Sequence, residues 1–189
     1  MKLFRPLKRN LLTQGFGKKN TLPSTMPFYK ELKMDGHNGW DWGATIGEKL
    51  YWNCGSLGTV IELSLDERVG LGIVIVSQDG NTYFKHIFWH LSKILCKVGD
   101  IVGSGDLIGL TGNTGQYSTG PHLHWGLKKC NNMNWTLDYQ NGYKGAIDPT
   151  PYFQNIFIGD YMASLQTQLR LLKQLIKLWK DFIKLKVGR

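Results

Sequence analysis

Two short strings in the chain carry residue types that hold transition metals. In His37-Asn38-Gly39-Trp40-Asp41 an imidazole and a carboxylate stand four positions apart. An extended strand would separate them by ~13 Å, too far to share one ion. The Asn38-Gly39 pair favours a tight turn, which would fold the chain and let His37 approach Asp41. Imidazole nitrogen and carboxylate oxygen each bind zinc at about 2.0–2.2 Å, so the two could form half a site. His122-Leu123-His124 adds two more imidazoles. Alternate residues of a strand face one side, so both rings would point into one cleft or core while Leu123 and Trp125 face away. The preceding Thr111-Gly112-Asn113-Thr114-Gly115 and Thr119-Gly120-Pro121 form a glycine-rich loop, which leaves room for an extended substrate to lie against the backbone. His90 ends a predicted strand in Phe88-Trp89-His90-Leu91-Ser92, and His86 lies four residues earlier; taken alone, each reads as a satisfied core histidine.

The elements that must position these residues are short and glycine-punctuated. Residues 1–30 are turn-rich, broken by Gly15, Gly17, Pro23 and Pro27. Residues 31–155 carry runs of β-branched and aromatic residues at Gly58–Leu63, Gly72–Ser77 and Thr82–Phe88, with an Asp79-Gly80-Asn81 hairpin signal between the last two. No helical period occurs in this zone. The expected fold is mainly β, an antiparallel sheet domain followed by a C-terminal amphipathic helix. That helix spans 160–189, where Leu165, Leu169, Leu172, Ile176, Trp179 and Ile183 repeat at intervals of four and three. A second row, Leu171, Leu175, Leu178, Phe182 and Leu185, widens its apolar face.

Bulk composition narrows the function classes. Of 189 residues 42% are hydrophobic, with seven Trp, enough for a folded core. The net charge of +9 favours an anionic partner, but no nucleic-acid module accompanies it, which leaves anionic lipid or wall polymer. Cys54, Cys96 and Cys130 form an odd set without a C-x-x-C pair, so neither a disulfide framework nor a cysteine zinc site is expected. No signal peptide and no run approaching ~20 apolar residues is present. A wall-directed protein of this kind is expected to arrive by release or delivery, with a phage particle as one route. The tail holds seven Lys or Arg against two Asp. A helical bundle is its first expectation, with a membrane surface or docking on a virion as alternatives.

Together the strings resemble the lysostaphin-type zinc endopeptidases, whose signature is H-x-x-x-D with H-x-H. The likeness runs over residues 13–153, through Gln14-Gly15-Phe16-Gly17, His37 to Asp41, His90-Leu91-Ser92, Thr114-Gly115, Gly120-Pro121-His122-Leu123-His124 and Asp148-Pro149. It implies Zn2+ held by His37, Asp41 and His124, with a fourth position open. It implies His90 and His122 beside that position as the catalytic pair, one taking a proton from a zinc-activated water and the other steadying the oxyanion. The implied reaction is hydrolysis of a peptide bond in the stem or crossbridge of peptidoglycan. Which bond, Gly-Gly, D-Ala-diaminopimelate or another, depends on loops around Trp40, Trp42 and Tyr117, residues that line a groove or merely pack. The chain departs from the pattern at Phe88, where many relatives have Tyr, and at Trp125-Gly126, where they often have Phe-Glu.

Overall fold

The computed structural model describes residues 1–187, and of 181, 182 and 184–187 the backbone alone. Its strands are β1 (Leu3–Arg5), β2 (Leu12–Gln14), β3 (Trp40–Gly43), β4 (Lys49–Tyr51), β5 (Gly58–Asp66), β6 (Gly70–Asp79), β7 (Thr82–Leu91), β8 (Lys93–Ile94), β9 (Ile101–Val102), β10 (Leu107–Leu110), β11 (His122–Cys130) and β12 (Phe153–Phe157). A one-and-a-half-turn helix α1 (Met26–Glu31) and a long helix α2 (Ile158–Val187) complete the chain. A seven-stranded sheet in the order β2-β3-β11-β7-β6-β5-β9 dominates, and all its pairings are antiparallel. A smaller sheet, β4-β10-β8, is antiparallel as well. The mainly β, antiparallel reading therefore holds, with one local exception: β1 and β12 pair in parallel.

The central hairpin follows from local chemistry. β6 and β7 pair to Asp79↔Thr82, and Gly80 between them has φ +57°, the positive value a two-residue hairpin loop places on its first residue. Alternation then sorts side chains between the faces of the large sheet. On β11, Leu123, Trp125 and Leu127 go inward; on β3, Trp40 and Trp42 join them. They pack with Ile73, Phe88, Leu50 and Ile108 between the two sheets, all nearly or fully buried. Trp40 meets Trp125 edge-on at 5.9 Å between centroids. Removing an aromatic of this size from such a core costs about 3–5 kcal/mol. Trp40 and Trp42 are thus packing residues, whereas Tyr117 lines the cleft on the other face.

Helix α2 begins two residues before the expected 160. Its first turn is anchored: Ile158 and Phe157 bury against Phe4, and Tyr161 stacks on Phe4 at 4.4 Å. Beyond that turn the helix leaves the sheets, and Leu169, Leu171, Leu172, Leu175, Leu178 and Trp179 are each 52–66% exposed. Phe182 and Leu185 of the expected pattern lie outside the described side chains.

His86 occupies the core as the sequence suggests. It is fully buried, edge-on to Trp52 at 4.7 Å, with Nε2 3.0 Å from the Ser77 hydroxyl and Nδ1 without a partner. Burial pushes its pKa down to about 3. The unfolded chain takes up this proton near the ordinary value of about 6.5, so unfolding gains protons between those limits. The stability held above pH 6.5 is therefore lost progressively as the pH falls towards 3. Thermal melts of the parent from pH 7 to 4 should show a steeper loss of Tm than those of His86→Leu; parallel curves would contradict this origin.

Candidate metal centre

Antiparallel register builds the centre. His124 of β11 lies opposite Asp41 of β3 on one side and Trp89 of β7 on the other. His37 precedes β3 and bridges to Gly17, which brings its ring over the same spot. Three atoms converge. His124 Nδ1 is 2.9 Å from Asp41 Oδ1, His37 Nε2 is 3.2 Å from the same oxygen, and the two ring nitrogens are 3.2 Å apart. Tetrahedral ligands at zinc bond lengths sit about 3.3 Å from one another, so this triangle fits zinc closely. The tautomer of His37 follows from its other nitrogen. The Gly15 carbonyl, 2.9 Å from Nδ1, can only accept, so Nδ1 carries the proton and Nε2 presents its lone pair.

Charge agrees with geometry. Burial by itself would raise the Asp41 carboxyl, but the contacts from His124 and His37 outweigh it and hold the group well below the ordinary carboxylate range. Burial pushes His124 down, against the pull of Asp41, which favours the neutral imidazole a metal requires. Among the described residues, His37, Asp41 and His124 are the group of ligand-type side chains close enough to hold one ion.

His122 and His90 stand beside this triangle. His122 Nε2 is 3.7 Å from Asp41 Oδ1, and its Nδ1 donates to the Gly120 carbonyl at 2.8 Å. The rings of His90 and His122 are 4.6 Å apart, and His90 Nδ1 donates to the Thr114 carbonyl at 2.9 Å. Both histidines therefore present Nε2 as an acceptor. Strand alternation would send His90 to the core face along with His86 and Phe88. A left-handed backbone at His90, φ +65°, breaks the alternation and turns the ring into the cleft. Trp89 keeps its place there too, stacked on His124 at 5.0 Å. Burial, with His124 and His122 nearby, pushes His90 down to about 4.

The structure changes one local expectation. No positive φ occurs at Asn38 or Gly39, so the string bends without the left-handed turn that Asn-Gly commonly makes. Glycine is needed at 39 for space. A Cβ there would lie 2.7 Å from His124 Cε1 and 2.7 Å from the Trp125 carbonyl oxygen. The sequence reading also missed α1, whose Phe28 and Tyr29 wall the cleft. Phe28 meets Tyr117 edge-on at 4.5 Å, and the Tyr29 hydroxyl accepts from Gln14 Nε2 at 3.4 Å. Pro27 in the first turn was the available signal, and one and a half turns are too short to show a period.

Comparison with known proteins agrees with this geometry. Residues 35–138 match the profile of peptidase family M23. The peptidoglycan DD-endopeptidase ShyA of Vibrio cholerae serotype O1 is 43% identical over 91 residues, which cover 48% of this chain and 20% of ShyA. The crystal structure of the catalytic domain of lysostaphin, an antimicrobial peptidase from Staphylococcus simulans, superposes with a TM-score of 0.52 at 33% identity, covering 62% of this chain and 79% of that one. A zinc-containing peptidase from Vibrio cholerae superposes with a TM-score of 0.58 at 26% identity, over 82% of this chain and 41% of that one. The chain thus spans about a fifth of the length of the curated relative with which it shares 43% identity.

The clash at position 39 yields a test. Gly39→Ala should push the His124 ring off the triangle and weaken binding of a divalent ion by roughly tenfold or more, and it should also lower the melt in the absence of metal, because the Trp125 carbonyl must shift as well. Competition against a zinc indicator reads the affinity, and a parent-like value would show that the ring has room to give.

Proposed function

This chain belongs to peptidase family M23, and on that premise we propose that it is a zinc-dependent endopeptidase that hydrolyses peptide bonds in the stem or crossbridge of bacterial peptidoglycan. The observation that carries the reading is the convergence of His37 Nε2, Asp41 Oδ1 and His124 Nδ1 at 2.9–3.2 Å, beside two further histidines. His37, Asp41 and His124 would hold Zn2+, which when bound supplies an acidified water and polarises the scissile carbonyl. The remaining work belongs to side chains. His90 and His122 each fix the proton on Nδ1 against a backbone carbonyl, which leaves Nε2 free to take a proton as attack proceeds. Once protonated, such a ring can donate to the developing oxyanion or the leaving amine. Trp89 stacks on the His124 ring, and the Thr114 and Gly120 carbonyls of the glycine-rich loop fix the His90 and His122 rings.

ShyA, a peptidoglycan DD-endopeptidase, supports the wall as substrate. Among the described residues no helix is long and apolar enough to cross a membrane. We take access to the wall to come through release or delivery, including delivery with a phage particle, a route supported by the layout of a catalytic sheet followed by one long helix. For α2 we propose self-association. Its two adjacent apolar rows, exposed from Leu169 to Trp179, form an arc too broad for a two-stranded coil and suited to a small bundle.

Purified zinc-loaded protein should release new peptide termini from sacculi of one or both major envelope types, read by mass spectrometry. A chelator should abolish the release. No chelator-sensitive cleavage on any wall would end the endopeptidase reading. His124→Ala should lose the metal, while His122→Ala should keep it and lose activity by about 10²–10⁴-fold. One zinc per chain retained in His124→Ala would overturn the ligand assignment. For the tail, sedimentation should give a larger mass for the full chain than for a truncation ending at Gly159; equal states would remove the bundle.

A further inference from the structure

The cleft continues past the histidines along β7 and β11. It encloses about 430 Å³, and beyond His124 it is lined by Ile87 and Val74, which pair across β7 and β6. A Cβ added at Gly126, opposite Ile87, would meet the Asn38 carbonyl oxygen and Ile87 Cβ at 3.6 Å, ordinary van der Waals contact, so this stretch of strand has room for a small side chain. At the far end the character of the floor changes. Lys128 of β11 lies directly opposite Lys85 of β7, both on the face that carries His124, and Lys144 lines the cleft beside them.

Like charges placed directly across a ladder repel, and a half-buried pair does so more strongly than an exposed one. Nothing in the fold neutralises this pair: among the described residues none of the three lysines is ion-paired. The other cleft carboxylates, Glu62 and Asp66, stand on β5, two strands away from β7, and Asp66 is engaged by Arg68 at 3.2 Å. The lysines are nonetheless held in position. Lys85 Nζ donates to the Asn134 carbonyl at 2.8 Å, and Lys128 Nζ lies 5.8 Å above the Tyr139 ring. Burial, with Lys85 and Lys144 nearby, pushes Lys128 down to about 8, the mark of a cation short of counter-charge.

Resting on the endopeptidase reading, we propose that Lys85 and Lys128, backed by Lys144, form a carboxylate-binding subsite that selects a peptide with a free carboxylate near the bond cut. Lys128 stands four residues from His124, ~13 Å along the strand. Allowing for the reach of the side chains, the carboxylate falls about two to four residues from the scissile bond in an extended substrate. Its source is either an acidic side chain or the C-terminus of the peptide. An all-glycine bridge offers no side-chain carboxylate to this subsite.

Direct binding tests this independently of turnover. Zinc-loaded full-length protein is titrated by calorimetry with three tetrapeptides: one with a free side-chain carboxylate and an amidated terminus, one with the reverse, and one with both amidated. At least one free carboxylate should tighten binding about tenfold over the doubly amidated peptide, and the peptide that does so identifies the source. Lys85→Met and Lys128→Met should each erase most of that preference. Both should leave the zinc content and the affinity for the doubly amidated peptide unchanged, with Tm equal or raised because opposed charges are gone. Equal affinities for all three peptides, or a preference that survives in the double variant, would overturn the subsite. If the protein cleaved no wall but kept a lysine-dependent preference, the endopeptidase reading would fall while the subsite stood.

Discussion

The Asp41 carboxylate has one oxygen 2.9 Å from His124 and 3.2 Å from His37, in a place where an unpaired charge would be expensive to bury. Everything that fixes the cleft can be traced to keeping those three side chains together. The β3–β11 register sets Asp41 opposite His124, and a slip of one residue would turn one of them into the core. The Gly15 carbonyl fixes the His37 tautomer, and the missing side chain at Gly39 leaves the volume that the His124 ring fills. The tryptophans on the reverse face, Trp40, Trp42 and Trp125, lock that register by burial. Core and site are thus two faces of the same three strands.

His90 shows how the sheet departs from regularity at the cleft. A uniform strand would bury this ring beside His86 and Phe88. One left-handed residue sends consecutive side chains, Trp89 and His90, into the same cleft. Such a backbone is strained for a residue with a Cβ, and the Thr114 carbonyl and Val69 carbonyl that accept from His90 hold it. Phe88, two residues earlier, is fully buried, so a hydroxyl here would face the core and not the cleft. The tyrosines that do line the cleft, Tyr29 and Tyr117, come from other segments.

Helix α2 obeys a different logic. Its N-terminal end is tied down as Ile158, Tyr161 and Met162 pack with Phe4 and Phe157, and its apolar residues from Leu169 to Trp179 are exposed. Its apolar rows stay exposed because the sheets have already covered their own apolar faces. The main core between the sheets holds no residue of this helix, which is why removing the helix addresses assembly separately from the cleft.

Local pattern carried much of this molecule. Runs such as Gly72–Ser77, the Asp79-Gly80-Asn81 turn and the four-three spacing of the tail are short-range signals, and they mark β6, the hairpin and α2. The H-x-x-x-D and H-x-H strings likewise announced which side chains to bring together, since alternation along one strand already places His122 and His124 on one face. What the sequence did not determine depends on register between segments far apart in the chain. That register separates Trp40 and Trp42, which pack, from Tyr117, which lines the cleft. It pairs β1 with β12 in parallel, places α1 as a wall, and sets Lys85 opposite Lys128. Even Gly39, legible as a turn former, is required because of a ring 85 residues further on. Alternation is a property of a few consecutive residues, whereas register is decided only when every strand has found the neighbours that bury its inner face.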